Sequence, residues 1–302
     1  MRTRFAALPW VCWAAVGLIA AQLAVRAVVA FGGYFYWDDL ILIGRAGTHP
    51  LLSPAYLFDD HDGHVMPGAY LVAGALAKLW PLQWAAPAIS LVVLQLLSSC
   101  ALLRVLWVIL GWRPVLLVPL TFALWTPLGL PAFAWWAAAL NSLPLCAALS
   151  WVCADAILLA RTGSRRYAYT ATLAYLGGLV FFEKSAVIPF VAFAVTALLG
   201  YVSGKPLTGA IVEAWRAGAR MWTAMLAVDR GLPGGGESEA VELRPRHDPR
   251  PAAALDHPRH CPEPGRWPVD LGTLGAGLAV GAAGASGDDT GVVGAGRAVG
   301  GV

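Results

Sequence analysis

Two adjacent carboxylates, Asp38 and Asp39, follow the aromatic run Tyr34-Phe35-Tyr36-Trp37. Their hard oxygens suit a divalent ion, or one of them takes a proton from a hydroxyl as a general base. The plainer alternative is a solvated turn in which an Asp caps a short helix over Leu40–Gly44. A second group, Asp59, Asp60, His61, Asp62 and His64, puts carboxylate and imidazole ligands into one short loop, without a fixed metal-site spacing. His64 alone also reads as an ordinary satisfied polar residue ahead of Pro67. A third is Glu183-Lys184, between two apolar runs. It is either a snorkelling charge pair or an anchor in which the lysine meets a phosphate. The fourth is Trp135-Trp136 with Asn141. The tryptophans mark a membrane interface or stack on a sugar ring; the asparagine hydrogen-bonds a ligand or caps the next helix.

The elements that position these groups are apolar. Of 302 residues, 58% are hydrophobic and 13% charged, and the mean hydropathy is +0.64. Soluble chains carry about twice that share of charge. Apolar runs recur from Leu8 to about Tyr201, as expected of an all-α polytopic membrane bundle. The net charge of +3 is small and its Arg and Lys cluster at the ends of apolar runs, so no nucleic-acid surface is expected. Five cysteines show no paired metal spacing. The first run, 8–31, is too long for the core of a cleaved leader, although Val28-Val29-Ala30 would serve as a cleavage site. It reads as an uncleaved first span.

Charge sets the topology. Arg2 and Arg4 place the N-terminus in the cytoplasm. The run from Gly68 to Trp80 is short for a span and carries Lys78. If it spans, Arg113, Arg161, Arg165 and Arg166 all face outward; if it lies in the outer interface, all four face the cytoplasm. The second arrangement gives about six spans, near 8–31, 86–110, 115–130, 141–160, 167–182 and 186–202. It also brings the Asp38-Asp39 loop, the Trp135-Trp136 corner and Glu183-Lys184 to the same outer side.

Three stretches follow: a bundle over 1–205, an amphipathic helix near Thr208–Val228 at the cytoplasmic surface, and a tail over 229–302. The tail holds one aromatic, Trp267, and no Lys, Ile or Met. It reads as disordered, or as the out-of-frame translation of a GC-rich gene from about residue 226, which would leave a truncated, inactive copy.

An acidic pair after the first span, then His64, Pro67 and Tyr70 at a His-x-x-Pro-x-x-Tyr spacing, then Glu183-Lys184 at a helix end, resembles the GT-C superfamily of polytopic membrane glycosyltransferases. The resemblance runs over about residues 8–205 and is one of order and topology. It implies a transferase that moves a sugar from a polyprenyl-phosphate donor to an acceptor on the outer face of the cell membrane. It further implies Asp38 or Asp39 as the base or metal ligand, and Lys184 against the donor phosphate. His64, Tyr70, Trp135, Trp136, Asn141 and Glu183 would line the substrate site. The cofactor stays open, a divalent metal ion on Asp38 and Asp39 being the candidate; the partners would be membrane lipid and the lipid-linked sugar. Two alternatives stand beside it: a non-catalytic membrane protein, and a transporter or lipid flippase. The latter predicts ionisable residues within spans, for which Arg26, Arg104 and Asp155 are the candidates.

Overall fold

The computed structural model describes residues 9–231, and these are all-helical, with a single bridge between His61 and His64. The expected tail over 229–302, with Cys261, lies almost wholly outside the described residues.

Helix α1 (Trp10–Phe31) leads into a loop that carries α2 (Asp38–Thr48), the single turn α3 (Pro54–Leu57) and α4 (Pro67–Leu79). Then come α5 (Ala85–Leu110), a bent pair α6 (Leu117–Trp125) and α7 (Leu130–Ala134), α8 (Trp136–Thr162) and α9 (Arg165–Phe181). A 3-10 turn, Glu183–Val187, enters α10 (Ile188–Val202), and α11 (Leu207–Gly231) follows. Among the described residues, four segments are long and apolar enough to cross a membrane: Trp10–Phe31, Ala85–Leu110, Trp136–Thr162 and Glu183–Val202. The bent pair makes a fifth if both halves belong to one span. The chain is therefore a multi-pass membrane protein. Helix α9 has 17 residues, short of the roughly 20 that a hydrocarbon core needs.

Two expected boundaries move. The run 115–130 is not one straight span but two pieces meeting at 40°. Thr126 precedes Pro127 and is driven to extended backbone (φ −61°, ψ 130°); Pro131 then starts the next helix. The run expected from Asn141 begins at Trp136 instead, so Asn141 sits inside α8 and caps nothing. Pro144 lies within the same helix, where neighbouring spans sustain the backbone.

Three apolar cores hold the bundle. One packs α8, α9 and α10 against Met221, Trp222 and Met225 of α11. That half of α11 is thus buried in the bundle, while Ile211 and Trp215 from its first half are exposed; a break at Gly218 separates the two. A second joins Ala15 and Ile19 of α1 to Leu116, Leu120 and Leu124. The third gathers Leu42, Tyr56, Met66, Tyr70, Leu91 and Trp136. Within the spans, Asp155 is buried and pairs with Arg104, while Thr170 donates to its other oxygen at 2.6 Å. This acid and this base serve α5–α8–α9 packing.

The third core closes one end of the bundle. Trp84, ahead of α5, donates its indole N–H to the Ala30 carbonyl at 2.7 Å. Gly68 at the start of α4 lies against Val180 and Phe181 at the end of α9. That end therefore collects the exit of α1, the entries of α5 and α8, and the α9–α10 junction.

Candidate functional site

The site is built on Asp39. One of its oxygens, Oδ2, accepts the Tyr36 N–H at 2.9 Å, and Oδ1 accepts the Ala137 N–H at 2.8 Å in the first turn of α8. The side chain has no solvent exposure. It ties the loop to the start of a span and satisfies a helix N-terminus, where a negative charge is favoured. Burial raises its pKa above the usual carboxylate range; the two N–H bonds pull it back down, and Asp38 adds a small upward push. The same tie supports Trp37, whose φ of 44° is rare for a bulky residue. Asp38, one step of about 100° round the helix, faces elsewhere: half-buried, it lines a cavity of about 300 Å3.

The loop opposite is a minimal hairpin. His61 N–H donates to the His64 carbonyl at 3.1 Å and His64 N–H returns the bond at 3.0 Å. Asp62 and Gly63 between them have φ of 54° and 81°, the left-handed pair that Asp-Gly supplies in a two-residue turn. Asp60 Oδ1 accepts the Gly63 N–H at 2.7 Å, and Asp59 pairs with Arg45 at 2.9 Å. Two of the three acids in the polar loop are therefore structural. The other ligands gather at one point, with Asp62 still exposed: single donor atoms of Asp38, His61 and Asp62 all lie within 4.8 Å of one another. His61 Nε2 is 3.7 Å from Asp38 Oδ1.

Behind this group, His64 Nδ1 is 2.6 Å from Glu183 Oε1. With the Nδ1–H donated to the carboxylate, Nε2 is left bare, the orientation that carboxylates impose on ligating histidines. Trp135, Asn141 and Ser142 line the far wall. Among the described residues, His61 Nε2, Trp135 Nε1 and Asn141 Oδ1 are buried without a hydrogen-bond partner. Such orphans cost about 1–3 kcal/mol each, so three around one cavity call for something in it. Two carboxylate oxygens and an imidazole nitrogen suit a divalent ion of the Mn2+ to Zn2+ series, and the orphaned His61 nitrogen fits that role. A donor N–H and an amide oxygen suit a polyhydroxylated ligand.

Of the residues expected at the site, Asp38, His64, Trp135 and Asn141 line the cavity. Glu183 stands behind His64. Asp39 is not available as a base, because both oxygens hold backbone N–H groups. Trp136 is fully buried, with Nε1 donating to Ser90 Oγ at 3.0 Å, so only one of the two tryptophans faces the cavity. Tyr70 is also fully buried; its hydroxyl meets Arg45, and Tyr56 donates to its carbonyl at 2.9 Å. Burial raises the Tyr70 pKa against the pull of Arg45, and burial, then Tyr70, pushes Tyr56 up to about 12. These tyrosines brace α3 against α4. Lys184 is exposed over the Phe182 ring at 5.1 Å and does not line the cavity. His61 and Asp62, which the sequence offered only as part of a dense polar loop, carry a sharper signal: an Asp-Gly turn flanked by two histidines.

Compared with protein-family models, curated proteins and solved structures, the chain matches none.

Proposed function

We propose that the chain is a GT-C-type membrane glycosyltransferase, moving a sugar from a polyprenyl-phosphate donor to an acceptor hydroxyl on the outer face. The observation that carries this reading is the cavity at the closed end of the bundle, where two free carboxylates, Asp38 and Asp62, meet His61, Trp135 and Asn141 with unpaired polar atoms. In the transfer, Asp38 accepts the acceptor proton as its oxygen attacks the sugar C1. The C1–O bond to phosphate breaks, and the polyprenyl phosphate leaves with inversion. The sugar lies against Trp135 and hydrogen-bonds Asn141. A divalent ion on Asp38, His61 and Asp62 would neutralise charge developing on the phosphate.

The topology that goes with this reading has six spans, counting the α6–α7 pair and α9, with the N-terminus cytoplasmic and α4 in the outer interface. Its support is that Arg113, Arg161, Arg165 and Arg166 then share the cytoplasmic side.

The test uses the purified full chain in proteoliposomes with radiolabelled polyprenyl-phosphate sugars. Asp38→Asn is expected to lower transfer by at least about a hundredfold while leaving the melting temperature unchanged. His61→Ala is expected to weaken Mn2+ binding, read by calorimetry, at least about tenfold. Transfer undiminished in Asp38→Asn rules out the assignment.

A further inference from the structure

A second cavity, about 390 Å3, lies within the bundle between α1, α5, α7 and α8, and its lining includes Gln22, Arg26, Gln95, Ser99, Ser142 and Ser150. Among the described residues, no acidic one lines it. Arg26 is the one arginine buried among the described residues, at 8% exposure. It sits about 7 Å of helix below the end of α1, at a depth where a lone cation is expensive. Arg104 and Arg45 have their carboxylates; Arg26 has none among the described residues. Of its five N–H groups, one makes a long bond to the Gly129 carbonyl at 3.5 Å, and the guanidinium lies 4.7 Å over the Phe133 ring. Neither contact answers the charge.

The walls repeat the message. Gln22, 2% exposed, has an Oε1 with no partner among the described residues; turning the amide over puts its NH2 there instead. Gln95 donates to Ser99 Oγ at 3.1 Å, which frees the serine hydroxyl to donate in turn. From Ser142 to Ser150 the cavity follows α8 for about 12 Å. Ser142 also lines the Asp38 cavity, so the two spaces adjoin.

We propose that this slot is a phosphate site, with Arg26 as its cationic ligand and Gln22 and Ser99 as hydrogen-bond donors. A planar fork of N–H groups beside hydroxyl and amide donors matches phosphate oxygens, and an oxyanion is what a desolvated guanidinium without a carboxylate lacks. The phosphate comes either on a lipid or free. That it is the phosphate of the sugar donor rests on the transferase reading, and would give Arg26 the role that the sequence suggested for Lys184; the phosphate site itself rests only on the slot.

The test is protection of Arg26 from phenylglyoxal, mapped by mass spectrometry on the full chain in phosphatidylcholine nanodiscs. Polyprenyl phosphate, polyprenol and inorganic phosphate are the three additions. Polyprenyl phosphate alone is expected to slow labelling of Arg26 at least tenfold, with exposed Arg113 unaffected, which identifies a lipid-borne phosphate. Equal protection by inorganic phosphate keeps the site and identifies free phosphate as the source. Equal protection by polyprenol, or protection by none of the three, overturns the proposal. Arg26→Gln is expected to abolish any rise in melting temperature caused by the protecting phosphate; this labelling needs no variant and stands even where that one fails to fold. Asp38→Asn is expected to keep the protection, so an absence of sugar transfer with Arg26 protected would remove the enzyme and leave the phosphate site.

Discussion

Neighbouring residues of the same type have different work at this site. Asp39 holds two backbone N–H groups from segments far apart in sequence, and Asp38 is left to face the cavity. Asp39→Asn keeps one acceptor but turns an amide NH2 toward the other N–H. A loss of about 1–3 kcal/mol is expected, read as a lower unfolding midpoint in mild detergent. The pH dependence has a definite sign. Burial raises the folded pKa of Asp39, so the fold favours the protonated acid. That contribution is full below the unfolded value of about 3.9 and is lost as pH rises through the higher folded value. The stability difference between wild type and Asp39→Asn should therefore shrink across that acidic window and be flat above it. At this scale the sequence was half legible. It marked the acid pair, but which of the two is free depends on a partner, Ala137, that spacing does not reveal.

At the scale of elements, close approaches decide where α4 and α9 sit. A Cβ at Gly68 would meet the Val180 carbonyl oxygen at 3.0 Å and Phe181 Cδ2 at 3.0 Å; one at Gly178 would meet Ala148 Cβ at 2.9 Å and Ser185 Oγ at 3.0 Å. Gly68→Ala must therefore push α4 off the end of α9, at a cost of about 1–3 kcal/mol. Because α4 follows directly on the His61–His64 hairpin, weaker Mn2+ binding should accompany the drop in melting temperature. Gly178→Ala, on the α8–α9 contact, is expected to lower stability similarly without moving the metal affinity. The apolar runs gave most helices to within a few residues, since span length follows from hydropathy alone. The entry to α8 escaped, because its first turn is held from the distant α2 loop. The α6–α7 bend was present in Pro127 and Pro131 but hidden by the unbroken apolarity of the run.

For the whole molecule, the contacts join the exit of α1, the entries of α5 and α8 and the α9–α10 junction at one end, and the proposed topology turns that end outward. Single cysteines in a background free of native ones check it: Asp62→Cys should react with an impermeant maleimide on intact cells, and Ser164→Cys only after the membrane is opened. Labelling of both from the same side would reverse or break the six-span order. The convergence of the polar loop, Trp135 and Glu183 on one end could be read from charge placement. The polar slot at Arg26 could not, because a lone arginine near a helix end looks like a snorkelling residue until the helices around it are known.

The bond from Ala137 to Asp39 spans 98 residues, and that from His64 to Glu183 spans 119. At the usual 5–20 residues per second of synthesis, the loop exists for about 5–20 s before α8 arrives to claim its acid, and longer before Glu183 reaches His64. Throughout that interval the acid pair lacks its bond to α8 and His64 lacks Glu183. The cavity is thus completed only once Glu183 has been made, so a product that ends between Ser142 and Glu183 has the ligands but not the contact that braces His64.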